Sequence, residues 1–190
     1  MNLQINFKVK DYKENISGKK VLVTRGLGFV GHILVKALIE KHQLKLTLVG
    51  QLDEAFDRKI IQDKQDFIEV KKALPQESLH ALLTNYDIGL ALEDFNEDFN
   101  RDICLTNKIW AYFQAGFYIL ATKTKAQIEF MKQNAGHGEL MTFEKEQLNL
   151  IVHNLTQEKH TIRSEQKKRF LRAKAYSFEK EMEPLKAMIA

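Results

Sequence analysis

Cysteine is almost absent: Cys104 stands alone among 190 residues, so no intramolecular disulfide can form. A lone thiol fits a reducing compartment and excludes metal sites of the Cys-x-x-Cys kind. The six histidines, at 32, 42, 80, 137, 153 and 160, form no His-x-x-x-His pair on a helix. No Asp-x-Asp spacing is present either; the adjacent acids Asp53-Glu54 and Glu93-Asp94 read as surface charges. No bound metal or resident cofactor is expected. Apolar runs are short, none approaching the roughly 20 residues that cross a bilayer. The opening MNLQINFKVKDYKEN lacks an uninterrupted apolar stretch, so it does not read as a secretion signal. The expected location is therefore the cytoplasm.

What is present is an ordinary globular balance, 44% hydrophobic and 28% charged, with a net charge of +4. Much of the excess sits in the tail, at Lys167, Lys168, Arg169, Arg172 and Lys174. These read as a solvated helix face, or as a contact with the inner face of an anionic membrane. No aromatic interleaving or named motif supports nucleic acid as a partner.

Short apolar runs alternate with longer helical patterns. VLVT (21–24), LKLTLVG (44–50), DFIEVKK (66–72), DIGLALE (87–93), FYILAT (117–122) and GELMTF (138–143) read as strands. Helices are expected over 28–42, 53–64, 76–84 after Pro75, 105–115 and 125–134, the last capped near Thr124. FNEDFNRDI (95–103) reads as a polar loop, and the chain is helical from Glu144 with breaks near 157–160 and Ser177. This alternation predicts an α/β domain with a doubly wound parallel sheet, Rossmann-like. Ligands of such sheets bind beyond the carboxyl ends of the strands, at the point where strand order reverses. That directs attention to Thr24–Gly28, Gly50–Gln51, Ala73–Gln76 and Glu93–Lys108.

The first strand runs into TRGLGFVG, which contains a formal G-x-G-x-x-G at Gly26, Gly28 and Gly31. Glycines before a helix N-terminus let a phosphate approach the backbone. The segment resembles the opening of extended short-chain dehydrogenases, and an NAD(P)-binding dehydrogenase or epimerase fragment is the alternative reading. Against it, Arg25 replaces the turn glycine. The second strand also ends in Val49-Gly50-Gln51, where an NAD site wants an acid.

A second resemblance runs from Leu44 onward. FIEVKKALPQESLHALLTNYDIGLALE, then NRDICLTNKIWAYFQAGFYILAT, then AYSFEKEMEPL are similar in order and spacing to the C-terminal, nucleotide-sugar-binding domain of GT-B glycosyltransferases of the group 1 (family 4) kind. The Asn107-Lys108 pair with Tyr112-x-x-Ala115-Gly116 is the most specific part. The resemblance implies transfer of a sugar from a nucleoside-diphosphate sugar to a saccharide or lipid-linked acceptor, in surface polysaccharide synthesis. It implies a single donor-binding domain, half of a GT-B architecture, whose N-terminal acceptor domain lies elsewhere. Residues 1–18 would be a linker remnant, 19–160 the domain proper and 161–190 helices packed on it. Arg25 and Gly26, Leu105, Thr106, Asn107 and Lys108 would meet the diphosphate, with Gly50 at a strand end beside it. Leu74 and Pro75 would line the nucleobase slot. The family's ribose-gripping glutamate falls on Ala111 and its partner on Ile103, which leaves Glu93 or Asn107 to hold the ribose.

Overall fold

The computed structural model describes residues 20–24, 45–50, 68–93, 99–176, 182–184 and 188. Arg25, Gly26, the rest of the segment 25–31, residues 1–19 and the helices expected over 28–42 and 53–64 lie outside the described residues.

Six strands form one sheet: β1 (Lys20–Thr24), β2 (Lys45–Val49), β3 (Ile68–Lys71), β4 (Ile88–Ala91), β5 (Tyr118–Thr122) and β6 (Gly138–Met141). Their order is β3-β2-β1-β4-β5-β6, and every neighbouring pair is parallel. This is the doubly wound order, with the reversal between β1 and β4. Thr24 pairs with Val49, Val49 with Lys71, and Ala91 with Ala121, so the carboxyl ends line one edge. Thr24, Gly50, Ala73 and Glu93 sit at or within two residues of those ends, as the sequence implies.

The described helices are α1 (Gln76–Leu83), α2 (Phe99–Ile103), α3 (Asn107–Gln114), α4 (Lys125–Gln133), α5 (Lys145–Gln157), α6 (Lys159–Ser164) and α7 (Gln166–Ala173). Alternation along the strands sorts side chains onto two faces. Leu46, Leu48, Ile88, Leu90 and Leu120 join one core with Leu148, Ile151, Val152 and Leu155 of α5 and Ile162 of α6. Val49, Ala91, Ile119 and Ala121 join the other with Leu83 of α1, Ile109, Tyr112 and Phe113 of α3, and Phe130 and Met131 of α4. Helices therefore cover both faces, which near-continuous apolar strands such as YILAT require. At Gly89 the packing of α3 leaves no room for a side chain: a Cβ there would lie 2.5 Å from Tyr112 Cγ.

Two expectations need correction. FNEDFNRDI is not loop throughout, because Phe99–Ile103 forms the short helix α2. Its turn is held from outside: Asp102 accepts from the Lys125 backbone N–H at 2.9 Å and pairs with Lys125 Nζ at 2.8 Å. That contact pulls the Asp102 carboxyl below its usual range. The tail also breaks at Glu165, between α6 and α7, as well as at Glu158. Among the described residues no helix is long and apolar enough to cross a membrane.

Candidate nucleotide-binding site at the sheet's carboxyl edge

Among the described residues, a largely buried polar cluster gathers at the carboxyl ends of β4 and β5. After β4 ends at Ala91 the backbone runs to Glu93, whose side chain is buried against the opening of α3. Thr106 occupies the N-cap position in extended conformation, with φ −82° and ψ 154°. It does not cap the helix. Its hydroxyl instead donates to Glu93 Oε1 at 2.9 Å. Thr106 therefore gives the first backbone N–H groups of α3 no side-chain acceptor, and the first turn carries no acid of its own. Such an end offers free donors and the positive pole of the helix dipole.

Lys108 lies in that first turn, an unfavourable place for a cation. Glu93 offsets this from across the loop: Lys108 Nζ stands 2.7 Å from Glu93 Oε1 and donates to the Leu92 carbonyl at 2.8 Å. Both side chains are largely removed from water, 11% and 7% exposed. An ammonium has three N–H donors. Two are engaged by these partners, and the third can meet a further oxygen.

Behind the pair the network is continuous. The Glu93 backbone N–H donates to Thr122 Oγ1 at 2.9 Å, and Thr122 donates to Gln127 Oε1 at 3.0 Å. Thr124 caps α4 by accepting from the Gln127 N–H at 3.2 Å. The ends of β4 and β5 and the start of α4 are therefore hydrogen-bonded into one support for Glu93. The arrangement can hold an anion at the mouth of α3 on backbone donors, a dipole and one positioned cation.

No protein-family model matches the sequence, and no curated protein matches it. Solved structures do. WaaG, a glycosyltransferase involved in lipopolysaccharide biosynthesis, superposes with a TM-score of 0.60 at 16% identity, over 93% of this chain and 47% of its own. The catalytic domain of the cholesterol-α-glucosyltransferase of Helicobacter pylori matches with a TM-score of 0.59 at 13% identity, over 85% of this chain and all of that one, 100%. HepE of Anabaena, in complex with UDP, matches at 0.58 and 16% identity, over 82% of this chain and 44% of its own. The chain has the fold of a GT-B glycosyltransferase domain. It spans about half the length of WaaG, 47%, and of HepE, 44%.

Within this GT-B fold the structure brings Glu93, Leu105, Thr106, Asn107 and Lys108 together at one helix mouth. Asn107 is exposed and begins α3 instead of capping it, while Leu105 is half-buried against the second core. Ala111 follows Lys108 by one turn and is half-buried against the same core. Ile103 is 46% exposed at the end of α2. Leu74 and Pro75 sit between β3 and α1, farther along the carboxyl edge. Pro75 is exposed at the N-cap position with φ −55° and ψ 152°, and Leu74 is half-buried. Gly50 follows β2 with φ 141°, its N–H donating to the Lys71 carbonyl at 3.0 Å and with open space where a side chain would stand.

Sequence reasoning missed the coupling of Glu93 to Lys108 and Thr106, because fifteen residues separate its ends and each residue alone suggested a ligand contact. It also missed Thr122 and Gln127. Their signal was the polar Thr-x-Thr at the end of an otherwise apolar strand, Thr122 and Thr124. The basic tail needs correction too. Arg169 is not part of a solvated face: it is 2% exposed, donates to the Gly116 carbonyl at 3.0 Å and to Ile162 at 2.6 Å, and lies over the Tyr118 ring.

Proposed function

We propose that this chain is the donor-binding half of a glycosyltransferase. It holds a nucleoside-diphosphate sugar at the carboxyl edge of the sheet and passes the sugar to a saccharide or lipid-linked acceptor, in surface polysaccharide synthesis. The observation that carries this reading is the mouth of α3, where an uncapped helix N-terminus meets a buried, positioned Lys108. Charge develops on the departing diphosphate during transfer, and preorganised donors and a cation stabilise it. Lys108 and the N–H groups of Asn107 and Lys108 would take the phosphates. Leu74 and Pro75 would face the base. Glu93 acts here as the residue that aims Lys108, and Asn107, exposed beside it, is left for the ribose. Arg25 and Gly26 follow β1, the strand next to β4, and would supply a second cation and a close backbone approach. The sugar nucleotide enters as substrate, and no resident cofactor or metal is assigned.

The likeness to WaaG, HepE and the Helicobacter pylori enzyme supports this reading, as does the UDP held by HepE. The acceptor pocket belongs to a partner domain of the same architecture, so this half alone binds donor without measurable transfer. Its working place is the cytoplasm. A panel of UDP, GDP, CMP, NAD and NADP in a thermal-shift assay tests the reading. Stabilisation by one nucleoside diphosphate is expected; stabilisation by NAD or NADP alone would move the chain to the dehydrogenase-like reading.

A further inference from the structure

The tail helix α7 has two unlike sides. At 3.6 residues per turn, successive side chains are about 100° apart. Gln166, Arg169 and Ala173 fall on one side and are buried. That side is fixed to the domain: Gln166 donates to the Tyr86 carbonyl at 2.9 Å, and Arg169 holds Gly116 and Ile162. The approach is so close that a Cβ on Gly116 would lie 2.6 Å from the Gln166 carbonyl oxygen. The outward side therefore has a set orientation.

Around that outward arc the order is Lys174, Lys167, Leu171, Lys168, Arg172, spanning about 160°. A leucine sits in the middle with two cations on either flank. Leu171 is 57% exposed. Among the described residues Lys168 has a 3.8 Å contact with Glu165, and Arg172 reaches the Ala135 carbonyl at 3.4 Å. Residues 159–174 hold seven lysines and arginines against one acid, Glu165. Ser164, Lys167, Lys168, Leu171 and Arg172 line an open hollow of about 540 Å³.

We propose that this arc docks on an anionic lipid bilayer. Leu171 enters the boundary between headgroups and acyl chains, and Lys167, Lys168, Arg172 and Lys174 meet lipid phosphates. An apolar centre flanked by cations suits an interface that is anionic outside and apolar just beneath. A nucleic-acid backbone would match the cations but leave Leu171 without a role, and the arc carries no aromatic side chain for a base. This docking does not rest on the transferase reading, since none of its residues belongs to the sheet edge.

The test is co-sedimentation of the full chain with vesicles of phosphatidylcholine alone and with vesicles carrying roughly one-third phosphatidylglycerol. Binding to the anionic vesicles only, weakening as salt rises, is expected. Each neutralised cation should lower partitioning about fivefold, and the triple variant K167Q/K168Q/R172Q on the order of a hundredfold. Leu171→Asn should lower it severalfold while leaving the salt dependence as in the parent. These side chains are exposed, so melting temperatures should stay near the parent's. Equal partitioning of the triple variant and the parent would overturn the proposal. So would equal binding to neutral vesicles, or binding of a DNA duplex with no binding to either vesicle.

Discussion

Replacing Lys108 with methionine is the sharpest structural perturbation of the site. The substitution keeps most of the side-chain volume and removes the charge together with its N–H donors. It leaves the Glu93 carboxylate 7% exposed with the Thr106 hydroxyl as its remaining side-chain donor, and it strips the Leu92 carbonyl of its donor. Removing one partner of a buried ion pair costs about 3–5 kcal/mol, because the other charge remains desolvated. The residual hydroxyl bond, the opening of α3 and the relief of a cation at that helix start put the expected loss near the lower bound, about 3 kcal/mol. In a domain of this size that is a fall of roughly 6–12 °C in melting temperature. The double variant E93Q/K108M removes both charges and should regain about half the loss or more, since a neutral amide can accept from Thr106 without a counter-charge. Urea unfolding of the parent, both single variants and the double variant closes the cycle. A Lys108→Met cost below about 0.5 kcal/mol, or strictly additive single variants, would refute a buried and coupled pair at the mouth of α3.

Two further outcomes follow from the packing behind the site. Arg169→Met should cost about 3 kcal/mol in urea unfolding, because the Gly116 and Ile162 carbonyls lose a charged donor, whereas Lys167→Met on the exposed arc should cost under about 0.5 kcal/mol; equal costs would refute the burial of Arg169. His137 is 2% exposed and burial holds its imidazole below the usual value, with Arg169 and Arg172 adding in the same direction and two backbone carbonyls opposing. A histidine depressed in the folded state contributes stability that is present above its unfolded value, about 6.5, and is lost as pH falls through the lower folded value. As pH falls below about 6.5, melting temperature should therefore drop less steeply in His137→Gln than in the parent, and parallel curves would refute it.

Much of the architecture was legible because each strand is a short apolar run between helical periods. Leu46, Leu48, Leu90 and Leu120 face one core while Val49, Ala91, Ile119 and Ala121 face the other, and both sets are visible as continuous apolar letters. The helix starts at Gln76 and Lys125 were legible from Pro75 and Thr124, whose backbone roles are local. What stayed hidden depends on distant partners. α2 has a polar sequence and owes its turn to Lys125, over twenty residues away. Arg169 stands among basic neighbours, and its inward turn depends on the distant Gly116, whose missing side chain lets the α7 backbone come close enough for Arg169 to reach the Gly116 carbonyl. The helix expected from residue 105 begins at Asn107, and Thr106 holds the cap position but spends its hydroxyl on Glu93. A side chain's sequence can announce that it suits phosphate; which neighbour already occupies it is a tertiary fact.

The most direct measurement is calorimetric titration of UDP, GDP and CMP, with uridine, guanosine and NAD alongside, into the parent chain and Lys108→Ala well below the melting point of either. One nucleoside diphosphate should bind the parent, and the variant should bind it about tenfold more weakly or worse, since a charge-assisted bond to phosphate is worth roughly 1.5–3 kcal/mol. The matching nucleoside, which lacks phosphate, should bind both proteins equally. Unchanged diphosphate affinity in Lys108→Ala together with tight NAD binding to the parent would contradict a donor diphosphate held at the mouth of α3.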